Sequence, residues 1–219
     1  LLGVPFDFTA HDHYTYCPQI SLTNATNRYC GEAGLAQCHS CLQHSPAPGG
    51  VDISTWRSNH QRFLRGTRFI LTPSQDITQR MQRFMPGATV QLAPHTDVSG
   101  TLPATKPPTR QAGAPLKVVV IGALSTIKGA DLLEDVAILA GKNKAPIDFH
   151  LVGYAYRSLK TRPRSHLTVH GEYTEAELPG MLEWLQPDVV WFPALWPETY
   201  SYTLSACLQA GLPVVAPNL

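Results

Sequence analysis

The sequence carries no surplus of charge: 17 lysines and arginines stand against 16 aspartates and glutamates, a formal net charge of +1. Nothing in that balance calls for a nucleic-acid partner or for adsorption on acidic lipid through overall charge. Long hydrophobic runs are missing too. The longest, such as VVVIGAL, are strand-sized, far short of the roughly 18 residues that mark a membrane span. There is no initiator Met, and the opening LLGVPFDFTA carries Asp7 and lacks the basic start of a signal peptide. No internal repeat and no low-complexity tract interrupts the chain.

Proline, by contrast, is plentiful: 19 in 219 residues, against a usual share of about 5%, many at strand or loop edges. The length leaves room for one large or two small domains with a real core. The chain begins and ends inside apolar, strand-like runs, as expected of a piece of a longer protein. PFDFTAHDHY (5–14) reads as a strand ending in polar residues, and 17–41 as a loop. Helices are expected over 52–65 and over QDITQRMQRF behind an N-cap at Ser74, with strands at 68–74 and 88–95. SGTLPATKPPTRQAGAP (99–115) lacks periodicity and reads as a linker. Beyond it strands and helices alternate regularly to Pro217, with Thr174 and Glu177 as a capping box. That alternation predicts an α/β fold with a parallel sheet covered on both faces.

Two stretches carry candidate chemistry. IGALSTIKGAD (121–131) leaves a strand through Gly122 and enters a helix at Lys128-Gly129. Glycine admits close backbone approach, a helix N-terminus favours anions, and Lys128 adds a mobile positive charge. A plain βα turn with a surface lysine is the simpler reading of the same residues. The second stretch, Trp191 to Leu219, reads as the end of a strand, a loop with Pro193, Pro197 and Glu198, a helix from Ser201 to Gln209, Gly211 and a buried strand. Such a βαβ step places its loop at the carboxyl edge of a parallel sheet.

The second stretch resembles the group-1, family-four nucleotide-sugar glycosyltransferases of GT-B architecture. Their signature is a Glu, seven residues, a second Glu, and an Ala/Gly-Pro-Val-Val run. Glu198 fits the first position and GLPVVA (211–216) the tail, while Ala206 stands at the second carboxylate. The resemblance is specific over 116–219 and looser over 1–95. It implies two incomplete Rossmann-like domains, each a parallel sheet flanked by helices. Residues 1–98 would be the later part of an N-terminal, acceptor-side domain with a Cys-rich insertion at 17–41. Residues 99–115 would be the linker and 116–219 the nucleotide-sugar domain.

By the same resemblance, Gly122, Lys128 and Gly129 hold the donor diphosphate, with Ala123 where an Arg is common. The N–H groups of Tyr200, Ser201 and Tyr202 help hold phosphate oxygens, and Glu198 contacts the transferred sugar. His11, at the first strand tip, touches donor or acceptor; a histidine satisfied in a surface loop is the alternative, and His95 is a weaker candidate. The missing ribose acceptor at Ala206 forfeits on the order of 1–3 kcal/mol. The implied reaction passes a sugar from a nucleoside-diphosphate donor to a hydroxyl of a glycan or lipid-linked glycan, with retention and without a catalytic metal, in the cytoplasm. A non-catalytic copy that binds sugar or a partner, and a sugar-nucleotide epimerase, are the competing expectations.

Cys17, Cys30, Cys38 and Cys41 fall within 25 positions, the last two as C-x-x-C, while Cys207 stands apart. This is the composition of a Cys₄ structural zinc site, though free thiols or disulfides fit it as well. Arg57, Arg62, Arg65 and Arg68 with His60 lie on or near one helix. They read either as a solvated face or as a surface for lipid phosphate and peripheral membrane association.

Overall fold

The computed structural model describes residues 4–32, 34–95, 101–105 and 113–219. It divides into two units: residues 1–96 with Trp196–Tyr200 and Leu219, and residues 97–195 with Ser201–Asn218. Most of the expected linker, 99–100 and 106–112, lies outside the described residues, and 101–105 carry no helix or strand.

In the first unit, strands β1 (Phe8–Thr9), β2 (Ile70–Thr72) and β3 (Val90–Leu92) form a parallel sheet in that order. Helices α1 (Leu35–His44), α2 (Ile53–Leu64) and α3 (Gln75–Phe84) accompany it. Asp52 caps α2 by accepting from the N–H groups of Ser54 and Thr55, and Ser74 caps α3 by accepting from Ile77, each satisfying donors that a helix start leaves open. The core gathers Ala10, Tyr16, Leu22, Leu64, Ile70, Ile77, Met81 and Met85. Tyr16 lies flat on Phe84 at 4.5 Å between ring centroids.

α1 corrects the expectation of a loop through 17–41. LAQCHSCLQH is built from residues compatible with a helix and starts after Gly34, but it lacks an apolar face strong enough to announce itself: none of its residues is fully buried. Two of the four arginines read as a candidate membrane surface are taken up by the fold. Arg57 donates to the Tyr16 carbonyl at 2.9 Å and lies over the Phe84 ring; Arg68 pairs with Asp7 at 2.6 Å.

In the second unit, β4 (Leu116–Leu124), β5 (Ile147–Ala155), β6 (Leu167–Val169), β7 (Val189–Trp191) and β8 (Val214–Val215) form one sheet in the order β6-β5-β4-β7-β8, every pair parallel. Helices α4 (Ala130–Lys142), α5 (Leu178–Leu185) and α6 (Tyr202–Gln209) connect the strands. β4 shows why both faces must be covered. Val118, Val120 and Leu124 pack with Leu133 and Ala137 of α4, whereas Val119 and Ile121 pack with Leu178, Leu182 and Leu185 of α5 and with Cys207 of α6. Alternation with period two on a doubly apolar strand produces this two-sided core.

α5 starts later than its pattern suggests. Glu177 accepts from the Thr174 N–H at 2.7 Å, but the Thr174 hydroxyl also turns to that carboxylate, at 2.8 Å. The box therefore caps a turn, and the helix begins at Leu178 with Pro179 in its first turn, where a missing N–H costs nothing.

Candidate functional site

Strand order decides where the second unit can bind a ligand. β4 lies at the centre, and the connections from the adjacent strands β4 (to β5) and β7 (to β8) leave in opposite directions, so the point between β4 and β7 is a topological switch point. Ligands of open parallel sheets bind outside the carboxyl ends of such strands. The loops leaving β4 and β7 meet there: the Leu195 N–H donates to the Ile127 carbonyl at 2.8 Å. Gly129 caps α4 with φ of 86°, and a Cβ at this position would stand 2.2 Å from the Pro193 carbonyl oxygen. Only glycine permits that approach.

Lys128 sits half-buried one residue before this cap, its N–H turned back to the Ser125 carbonyl at 3.1 Å. The first-turn carboxylate of α4, Asp131, is paired with Arg157 at 2.5 Å. An anion reaching this helix start therefore meets a neutralised acid, a lysine and the positive end of the helix dipole. Gly122 precedes the loop. It lies inside β4 opposite Gly153, whose own Cβ would meet the Gly122 carbonyl oxygen at 2.2 Å. The close approach that glycine allows there is between strands.

Ser201 accepts from Leu204 as the N-cap of α6 and Tyr202 is 60% exposed. Ala206 packs against the apolar cluster of Val119, Ile121 and Leu182 and offers no acceptor. Glu198 and Tyr200 belong to the first unit, in the segment 196–200. That segment is held by the tip of β1. The buried His13 donates from Nε2 to the Pro197 carbonyl at 2.9 Å, and the Thr199 hydroxyl donates to the His11 carbonyl at 2.7 Å. Glu198 is half-buried between these two anchors. Tyr200 meets the His95 ring at 4.4 Å between centroids.

His11 contributes its backbone; its side chain is 78% exposed, with Nε2 3.4 Å from Asp12. His13 is the residue the sequence reading passed over. The only local signal for it was the repeated histidine of HDHY at a strand tip. His11, Asp12, Tyr14, Asn59, His60 and Phe63 line a cavity of ≈ 390 Å³ in this unit. Tyr14 stands edge-on to Trp56 and Trp56 against His60 on its flank.

The four clustered cysteines come together. Cys17, Cys30, Cys38 and Cys41 all line one cavity of ≈ 320 Å³, and no disulfide joins any of the five cysteines. Burial, with the other three cysteines adding to it, pushes the Cys17 thiol up to about 12. Among the described residues no group of three or more His, Cys, Asp or Glu could hold a metal ion as the side chains stand. Nor is any helix among them long and apolar enough to cross a membrane.

No family model matches the sequence, and no curated protein matches it at the required significance. Solved structures do match. The pneumococcal O-GlcNAc transferase GtfA, in complex with UDP and GlcNAc, aligns over 74% of this chain and 32% of its own, with 14% identity and a TM-score of 0.50. A mutant of S. aureus TarM, bound to Fondaparinux, alpha-GlcNAc-glycerol and UDP, aligns over 74% of this chain and 32% of its own at 17% identity and a TM-score of 0.50. Anabaena HepE with UDP-glucose aligns over 78% of this chain and 50% of its own, with 16% identity and a TM-score of 0.51. This chain thus spans about a third to a half of the length of these structures. With parallel sheets flanked by helices in both of its units, it carries the α/β fold of the GT-B glycosyltransferases.

Proposed function

We propose that the protein to which this chain belongs is a glycosyltransferase that moves a sugar from a nucleoside-diphosphate donor to a hydroxyl of a glycan or lipid-linked glycan, with retention of configuration, in polysaccharide or glycoconjugate synthesis. The observation that carries this reading is the pair of loops at the β4/β7 switch point, closed on each other through Gly129 and Pro193 with Lys128 at the helix start. A diphosphate is the ligand such a place favours. In the transfer step the diphosphate departs and leaves an oxocarbenium-like sugar. Lys128 and the start of α4 stabilise the charge growing on the leaving group.

Tyr200, Ser201 and Tyr202 add backbone donors, and Glu198 positions the sugar. The ≈ 390 Å³ cavity beside His11 offers aromatic and polar walls suited to an acceptor sugar. The reading assigns no metal to the transfer step. Reduced thiols fit a cytoplasmic setting, and a lipid-linked acceptor would bring the protein to the inner face of a membrane. A second reading, a copy that binds but does not transfer, is favoured by Ala206, whose packing leaves the ribose without its carboxylate.

Calorimetry with uridine diphosphate on this chain, and a donor-dependent transfer assay on the longer protein, separate the two. Binding with transfer supports the enzyme, and binding without transfer supports the second reading. No nucleotide binding in either form removes both.

A further inference from the structure

The cavity lined by Cys17, Cys30, Cys38 and Cys41 points to a function independent of sugar transfer. We propose that these four thiols bind one zinc ion, which fastens the segment 17–44 to the first unit.

Three observations lead there. First, the four cysteines are 24 positions apart at most in sequence, yet they reach one cavity from three separate pieces of backbone. Cys17 ends the turn that follows β1, its N–H donating to the His13 carbonyl at 3.0 Å. Cys30 closes a small hairpin in which Thr23 pairs with Tyr29, and its own N–H returns to the Leu22 carbonyl at 2.9 Å. Cys38 and Cys41 stand three apart on α1, a spacing that puts both on one face of a helix.

Second, the helical part of the segment lacks the apolar burial that would hold it, although Leu22 belongs to the core. α1 is 10 residues long and buries none of them fully, whereas a helix shorter than about 12–15 residues is marginal in water without packing. Small loop-rich segments of this kind are commonly held by a metal whose binding free energy is also folding free energy.

Third, the surroundings suit bound thiolates. The Arg57 guanidinium donates to Cys38 Sγ at 3.6 Å. A cation beside a sulfur is the kind of outer partner that thiolate ligands need.

With the side chains as they stand, no group of three or more His, Cys, Asp or Glu among the described residues could hold a metal ion. A cysteine has one rotatable side-chain bond, and rotation about it in a cavity of ≈ 320 Å³ is the movement that loading requires. Each ligating thiol gives its proton to solvent, and the ion replaces those protons. Four thiolates with Zn²⁺ leave a charge of −2, which Arg57 partly offsets, and no oxidant or reductant takes part. Because Cys17 lies four residues after His13, the ion would also steady the turn that carries the Pro197 anchor.

The test uses the whole chain, purified without chelator and analysed for metal. The expected content is about one zinc per chain, falling below about a tenth in Cys38→Ser/Cys41→Ser and unchanged in Cys207→Ser, since Cys207 lies in the other unit. Should the double variant fail to fold, cobalt(II) titration of the parent chain decides instead. Thiolate-to-cobalt charge-transfer and tetrahedral d–d bands, both bleached by added zinc, are expected. Four thiols that react with a disulfide reagent equally fast with and without chelator, together with no cobalt spectrum, would overturn the proposal. So would four cysteines found already paired as disulfides.

Discussion

His13 and Pro197, 184 positions apart, are joined by a hydrogen bond of 2.9 Å from the imidazole Nε2 to the proline carbonyl. A carbonyl can only accept, so Nε2 carries the proton, and Nδ1 is left to accept from the Tyr16 hydroxyl. One donor and one acceptor, both used, describe a neutral histidine. Burial pushes its pKa below the ordinary 6.5.

His13→Ala is expected to destabilise the chain by about 2–4 kcal/mol, since it removes a buried ring and leaves the Pro197 carbonyl without its donor. His11→Ala should fall within about 0.5 kcal/mol of the parent, because its carbonyl is kept and its side-chain contacts, to the Thr9 carbonyl and Asp12, are solvent-exposed. Urea unfolding of both variants reads the contrast. Equal effects would mean that the strand tip does not hold segment 196–200 through His13.

Acid should loosen the second unit through His150 and His170, whose rings share a hydrogen bond of 3.0 Å. Burial first, then the charge of His170, brings His150 down from 6.5 to about 4, and burial lowers His170 as well. A histidine with a depressed folded pKa binds more protons when unfolded. Its stabilisation is therefore complete above 6.5 and is lost as pH falls toward 4. Lys117, Arg162 and Asp148 also face the pair electrostatically. His150→Asn should flatten the fall in urea midpoint over that window; an unchanged slope would place the acid sensitivity elsewhere.

Two glycines should respond in opposite directions. Gly129→Ala forces a Cβ to within 2.2 Å of the Pro193 carbonyl oxygen at a φ of 86° and should cost about 2–4 kcal/mol. Gly180, on α5, has nothing within 4 Å of an added Cβ, so Gly180→Ala should gain about 0.4–1 kcal/mol. Denaturant midpoints measure both. A tolerated Gly129→Ala would mean that the two switch-point loops are not closed on each other.

Lys128→Ala should weaken uridine diphosphate binding by about five- to tenfold and reduce its salt dependence, since a phosphate-facing charge is removed. Glu198→Gln should leave that binding within about twofold, because its proposed partner is the sugar, yet abolish transfer by the longer protein. Calorimetry at two salt concentrations and a transfer assay test the pair. Unchanged binding in Lys128→Ala would refute the phosphate-loop assignment.

The sequence by itself determined the α/β order, because strand and helix periodicities and caps are local. Asp52 and Ser74 start their helices where expected, and LKVVVIGA, apolar on both faces, announces a central parallel strand. The clustering of four cysteines was legible for the same reason. Only the tertiary structure decided the rest. It set Gly122 opposite Gly153 inside the sheet, where β4 runs as long as its neighbour β5 pairs with it. It also showed α1, whose weak pattern is overridden by context, and drew segment 196–200 to the first unit. It explained Gly129 by the Pro193 carbonyl beside it and showed His13, which the sequence had not singled out, as the side chain that holds the Glu198 segment. Such contacts join residues far apart in the chain, and no local period or spacing encodes which distant carbonyl a buried imidazole will meet.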